Sequence, residues 1–255
     1  MIDKTSCDMK NRSVLLLGAI LLLGGSCSKR LVHPEFETHA LDTLLCGKGS
    51  SCKIEYRFVS IRNAAKSPAL EAVEQANIGY FFQLEDFSGS EQQAVQTSLT
   101  EIQTNYLSEG LAPEGVEYEI SVEAEGAVVD SLLSYVIIRA GYTGGAHGMY
   151  GTECHTYSLR DGFELSLADL FPEEVLQRLD GMIREKIAAQ YDAPTDDALA
   201  QEGFFPEYIA PTENFLITPE GITFYYNPYD IGCYALGAVT VTLNHDELNA
   251  LRSGE

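Results

Sequence analysis

Polar and apolar residues alternate from Lys53 to Ile61, the period of a half-buried strand. Leu70, Val73, Ile78 and Phe81 then fall at helical intervals, with Gly79 inside the run. Ser90 followed by Gln93 has the capping-box order. Val95, Leu99, Ile102 and Tyr106 make one apolar stripe below it, which Gly110 and Pro113 end. Val116–Glu125 and Val128–Tyr142 predict a strand pair turning at Glu125 and Gly126. The second strand is apolar almost throughout and is expected to be central, covered on both faces. Gly144 to Gly148 reads as a turn into a strand over Glu153–Leu159, and Arg160, Asp161 and Gly162 reverse the chain.

Ser166 to Asp169 is a second capping box, and Pro172 opens the longest helix, with the stripe Leu176, Leu179, Ile183 and Ile187. Residues 192–203 are polar and read as a loop. Phe215–Thr218 and Ile222–Tyr226 are strands separated by Pro219, Glu220 and Gly221. Tyr229–Gly237 is irregular, Ala238–Leu243 is a last strand, and Asn244 with Glu247 caps a terminal helix. The pattern predicts an α+β fold: two-layer, mainly antiparallel sheets with helices packed on one side, in two small domains at 51–143 and 144–255.

A different pattern rules the N-terminus. Ten apolar residues, Val14 to Leu23, follow Lys4, Lys10 and Arg12 and stop at Gly24, Gly25 and Ser26. A membrane span needs ~20 apolar residues, so this run reads as a secretory signal over residues 1–26. Cys27, directly after the small residues, marks a lipoprotein signal in which that cysteine is acylated. Residues 27–50, with Pro34 and Gly/Ser clusters, then read as a tether. Ser28, Lys29 and Arg30 offer no acidic cluster for surface export, which favours lipid anchoring in the outer membrane on the periplasmic side.

The 255 residues carry a net charge of −22, and removing residues 1–26 leaves −23. Such a surface repels nucleic acid and would steer a basic protein toward itself. After Cys7 and Cys27 are set aside, Cys46, Cys52, Cys154 and Cys233 remain, an even number suggesting two disulfides in an exported chain. The Gly/Ser-rich turn between Cys46 and Cys52 favours that pair, which leaves Cys154 with Cys233. Neither spacing suits structural zinc, and no metal or cofactor is expected.

Two stretches carry a family resemblance. Residues 141–171, from Gly-Tyr-Thr-Gly-Gly-Ala-His-Gly to Leu-Ser-Leu-Ala-Asp-Leu-Phe, are one. The other begins Asn214-Phe-Leu-Ile-Thr-Pro-Glu-Gly-Ile-Thr-Phe-Tyr-Tyr-Asn-Pro-Tyr-Asp-Ile and ends at Gly237. They resemble, in the same order, the extracellular part of the lysozyme-sensing anti-sigma factor RsiV. Residues 53–143 are similar to the domain that precedes it and that is also found in PdaC deacetylases. The resemblance implies an envelope domain of unknown function able to bind a basic protein such as lysozyme. Neither a sigma-binding segment with a membrane span nor a deacetylase domain is recognisable, so signalling and deacetylation are not expected to carry over.

Candidate chemistry is sparse. His147, with His155 eight residues on and Asp161 and Asp169 nearby, is open to three readings: a histidine in a glycine turn, a ligand contact, or a catalytic or metal-binding residue. Asp169 reads as a helix cap. Nucleophile-elbow, zinc-protease and phosphate-loop patterns are not found, so no catalytic residue is assigned. Tyr225, Tyr226, Tyr229 and Tyr234, with Tyr150 and His147, are the candidate partner contacts, because tyrosines on irregular segments make rigid interface surface. Their alternative is packing in the core beneath Pro228. The sequence thus points to a non-catalytic protein-binding lipoprotein, with peptidoglycan or carbohydrate binding, or peptidoglycan modification, as the second reading.

Overall fold

The computed structural model describes residues 31–47, 49–108 and 115–253. The signal segment, Cys27 and the expected helix stop at Gly110 and Pro113 lie outside the described residues. In chain order come β1 (Phe36–Cys46), β2 (Ser51–Ile61), α1 (Pro68–Phe82), α2 (Glu91–Tyr106), β3 (Glu117–Val129), β4 (Leu132–Tyr142) and β5 (Met149–Ser158). Then follow α3 (Leu167–Leu170), α4 (Glu173–Gln190), α5 (Asp196–Gln201), β6 (Phe215–Thr218), β7 (Gly221–Tyr226), β8 (Val239–Asn244) and α6 (His245–Ser253). Strands β1 to β5 form one sheet in sequence order and β6 to β8 a second. All neighbours are antiparallel except β2 and β3, which are parallel and joined through α1 and α2. The fold is α+β.

Local chemistry sets most element ends. Ser90 accepts from the Gln93 amide while Gln93 Oε1 accepts from the Ser90 amide at 2.8 Å, the capping box that starts α2. Pro68 occupies the first turn of α1. That helix ends on Gln83 in the left-handed region (φ 54), with Leu84 donating to Gly79 and Gln83 to Tyr80. This is a Schellman turn with glutamine where glycine is usual.

Two apolar clusters fill the interior. One packs Ile54 and Phe58 of β2, Leu70 and Phe81 of α1, and Leu133 and Ile137 of β4. The other packs Leu179, Ile183 and Ile187 of α4 against Phe215, Phe224 and Leu243 of the small sheet. In α4 the buried stripe starts at Val175, with Leu176 only partly buried.

The structure corrects several expectations. The tether reading of 27–50 fails over 36–46, where β1 pairs with β2 from Phe36 opposite Ile61 to Cys46 opposite Ser51. The strand was hidden because it lies at a sheet edge and only one face is even half-covered. The division after residue 143 cuts the large sheet, since β5 pairs with β4 along its whole length. The two apolar clusters divide instead between Leu159 and Leu167. The β3–β4 turn falls at Asp130 (φ 55), not at Gly126. Strand β3 runs on through Gly126 because the Phe36 ring fills the space above it, where a Cβ would come within 2.6 Å. The polar run 192–203 contains α5, which Thr195 caps by accepting from the Ala198 amide.

Strand β5 ends the large sheet, yet its outer edge is not open. Asn227 Oδ1 accepts from the Thr152 amide at 2.7 Å, and its Nδ2 donates to the Thr152 carbonyl at 3.0 Å. Asn214 Oδ1 accepts from the Cys154 amide at 2.8 Å, while its Nδ2 donates to the carbonyls of Thr152 and Tyr225. Two side chains thus close the edge at Thr152 and Cys154 and bind the sheets together, while the returning chain closes the end of β5, with Leu165 donating to the Thr156 carbonyl at 2.7 Å and Ser158 to that of Phe163 at 2.9 Å. Ser134 adds a hydrogen bond to the Ile217 carbonyl at 3.1 Å.

Replacing Asn214 with alanine removes three hydrogen bonds and leaves the amide of buried Cys154 unpaired. A loss of about 2–3 kcal/mol is expected in urea unfolding, and an unchanged midpoint would show that other groups close this edge. A second prediction concerns Glu74, which accepts from the Ile61 amide at 2.7 Å and whose carboxyl burial pushes up to about 6, helped by Glu91. The unfolded carboxyl ionises at lower pH, so its contribution to stability is lost as pH rises from about 4.5 to about 6 and stays lost above. Glu74→Gln should therefore stabilise the fold at pH 8, by at most ~2 kcal/mol, and not at pH 4. Unfolding curves at the two pH values check this.

Candidate functional site

The β4–β5 connection passes through Gly144 (φ 94) and Gly145 (φ 104), conformations that L side chains rarely adopt. Tyr142 closes the turn by donating to the Gly145 carbonyl at 3.0 Å. His147 projects from this turn, exposed, with its Nδ1 2.9 Å from the Gly148 carbonyl. Tyr234 donates to that same carbonyl at 2.7 Å and stacks on the His147 ring at 3.9 Å between centroids. Tyr150 meets Tyr234 edge-on at 6.0 Å, and Tyr229 lies 5.7 Å from Tyr234, with its hydroxyl 3.4 Å from His147 Nε2. Four of the six candidate contacts therefore form one surface cluster, built from the glycine turn, the start of β5 and the irregular segment after β7.

Tyr229 is held there against its preference. Asp230 donates its amide to the Asn227 carbonyl at 3.0 Å, closing a turn with Pro228 second and Tyr229 third, at φ 77. Positive φ after proline defines a type II turn, whose third position normally goes to glycine. Asp230 also accepts from the Asn227 amide at 2.7 Å, which fixes the turn. Tyr229 remains 51% exposed and Tyr150 42%. A strained backbone thus displays an aromatic ring to solvent.

The other two tyrosines fall outside the cluster. Tyr226 is buried in the second core and donates to the Ala210 carbonyl at 2.7 Å, with its phenol pushed up by burial. It is a packing residue, which corrects its place among the contacts. Tyr225 points to the other side of β7, half-buried. Strand alternation separates the pair.

His155 is not a partner of His147. It sits on β5, stacks on Tyr80 of α1 at 3.9 Å and places Nδ1 2.8 Å from Glu164, which also accepts from Tyr80. Asp169 caps α3 by accepting from the Ser166 amide and hydroxyl, which hold its carboxyl below the usual range. Among the described residues no group of three or more His, Cys, Asp or Glu is placed to hold a metal ion.

Cys46, Cys52, Cys154 and Cys233 are free thiols. Directly opposed residues share a sheet face; Cys46 opposes Ser51 and Cys52 opposes Leu45, so the two thiols lie on opposite faces. That excludes the expected Cys46–Cys52 bridge. Cys154 lies buried beneath the Asn214 clamp, whereas Cys233 sits against Gly203 and is not bonded to it.

Asn214 and Asn227 are the residues that the sequence reading passed over. Their signal was positional, since they bracket the β6–β7 hairpin at both ends.

Residues 168–246 match the family described as Protein of unknown function (DUF3298). A solved DUF3298-family structure from Bacteroides fragilis superposes with a TM-score of 0.71 at 24% identity, over 85% of this chain and 92% of that one. A DUF3298-family protein from Pseudomonas aeruginosa gives 0.60 at 18% identity, over 86% and 94%. Both share the fold. No curated protein matches the sequence.

Burial pushes the thiols of Cys52 and Cys154 up to about 11 and about 12. In the native chain, iodoacetamide is expected to label exposed Cys46 first and to spare Cys52 and Cys154. After unfolding without reductant, all four should label. Mass spectrometry reads both states, and a pair blocked until reduction would restore a disulfide.

Proposed function

We propose that the chain is a non-catalytic protein-binding module, anchored at the cell envelope through Cys27, whose partner is a basic protein. Support comes first from the exposed cluster of His147, Tyr150, Tyr229 and Tyr234, in which a strained turn holds a ring toward solvent. Tyrosine supplies large contact area at small entropic loss, which is why it recurs at interface hot spots. The net charge of −22 supports a basic partner and fast, salt-sensitive encounter. Lysozyme is the leading choice, through the resemblance of residues 141–171 and 214–237 to the extracellular part of RsiV. Outer-membrane attachment facing the periplasm completes the reading.

The full chain immobilised on resin should retain hen lysozyme at low salt and hold less at moderate salt. Combined Tyr150→Ala and Tyr229→Ala should weaken binding by at least ~10-fold, the loss of a hot-spot ring. No retention at either salt concentration would overturn the lysozyme reading.

A further inference from the structure

Where α1 and α2 end, no described residue covers the large sheet, which leaves a groove on its helix-bearing face. Two adjoining hollows of about 340 Å³ and 200 Å³ share Gln83, Tyr106, Ile120, Val122 and Arg139. Gly141 and Gly151 extend the floor, and Gly151 stays bare because a Cβ there would come within 3.3 Å of Asn227. Glu101 and Asn105 of α2 stand on one side, and Met149, 51% exposed, on the other. Gln83 lines both hollows from the left-handed position at the end of α1. As with Tyr229, a side chain is displayed where the backbone would favour glycine.

The charge of the groove follows from how Arg139 is engaged. Its Nε donates to Glu153 at 2.7 Å, and its two terminal nitrogens donate to the carbonyls of Phe81 and Tyr80. That guanidinium caps α1 and neutralises Glu153. What remains facing the groove is the Glu101 carboxylate, the Gln83 and Asn105 amides, the Tyr106 ring and the C-terminal end of α2. A helix C-terminus carries partial negative charge, and an aromatic face attracts cations. The groove disfavours anions and suits a flexible cation flanked by peptide amides.

We infer that this groove seats an extended, Lys- or Arg-bearing segment of the partner; the inference rests on the protein-binding reading above. A cationic side chain pairs with Glu101 over the Tyr106 ring, its stem lies along Met149 and the apolar floor, and the neighbouring peptide groups meet Gln83 and Asn105. The groove lies on the helix face of the large sheet. Tyr150 contributes to the rim of the larger hollow, while strand alternation from Met149 turns its ring toward the opposite face. Two different substitution sets therefore test the two surfaces.

The probe is a fluorescein-labelled peptide of alternating lysine and glycine, titrated by anisotropy into the full chain. Glu101→Lys should weaken binding about ten-fold, by removing one attraction and adding one repulsion. Glu185→Lys, on the exposed side of α4, changes net charge equally and should leave affinity within about two-fold. Equal losses in the two variants would reduce the effect to overall charge and overturn the inference. Displacement of the peptide by a neutral chitooligosaccharide would overturn it in favour of a saccharide site. If lysozyme is retained but the peptide is not bound, the groove falls and the tyrosine reading stands. Peptide binding that depends on Glu101, without lysozyme retention, upholds the groove and removes lysozyme as the partner.

Discussion

The rest of the structure depends on how the edge of β5 is closed. A sheet ends in a row of unpaired amides and carbonyls, and here two asparagine side chains, together with the returning chain at 163–165, take the place of a sixth strand. Asparagine suits this because one side chain offers both a donor and an acceptor, as a peptide group does. Asn214 precedes β6 and Asn227 follows β7, so the ladder of the large sheet is completed from the ends of a hairpin of the small one. The same Asn227 opens the turn that presents Tyr229 and lies against Gly151 in the floor of the groove. Edge closure, ring display and groove shape are one mechanical problem with one solution.

Strain recurs where side chains are displayed. Gln83 and Tyr229 each hold a positive φ at a place that glycine would occupy with less distortion. Each is locked by hydrogen bonds on both sides, from Leu84 to Gly79 in one case and between Asp230 and Asn227 in the other. Such geometry limits rotamer and backbone freedom before any partner arrives, which lowers the ordering cost of contact.

Elements with a local signature were legible in the sequence. The capping boxes at Ser90 and Ser166, the proline start of α4 and the β6–β7 hairpin follow from residues close in the chain. What escaped the reading was set by distant partners. β1 lacks a clean alternation because only one of its faces packs; Gly126 reads as a turn until Phe36, ninety residues earlier, is placed on it. The cysteine spacing invited a bridge, and only the strand register, with Cys46 opposite Ser51, sets those thiols on opposite faces. For the candidate site, the tyrosines were visible as a group. Their division into displayed and buried members depended on alternation along β7 and on the Pro228 turn.

The asymmetry of the large sheet has a consequence for association. With β5 sealed, the remaining rim of that sheet among the described residues is β1, eleven residues long and paired there on one side only. A sheet with two free rims can add copies without end; a sheet with one can be joined rim to rim a single time and is then finished. Sealing β5 thus removes the route by which this sheet could grow into a fibre, and any strand-mediated self-association through it terminates at a pair.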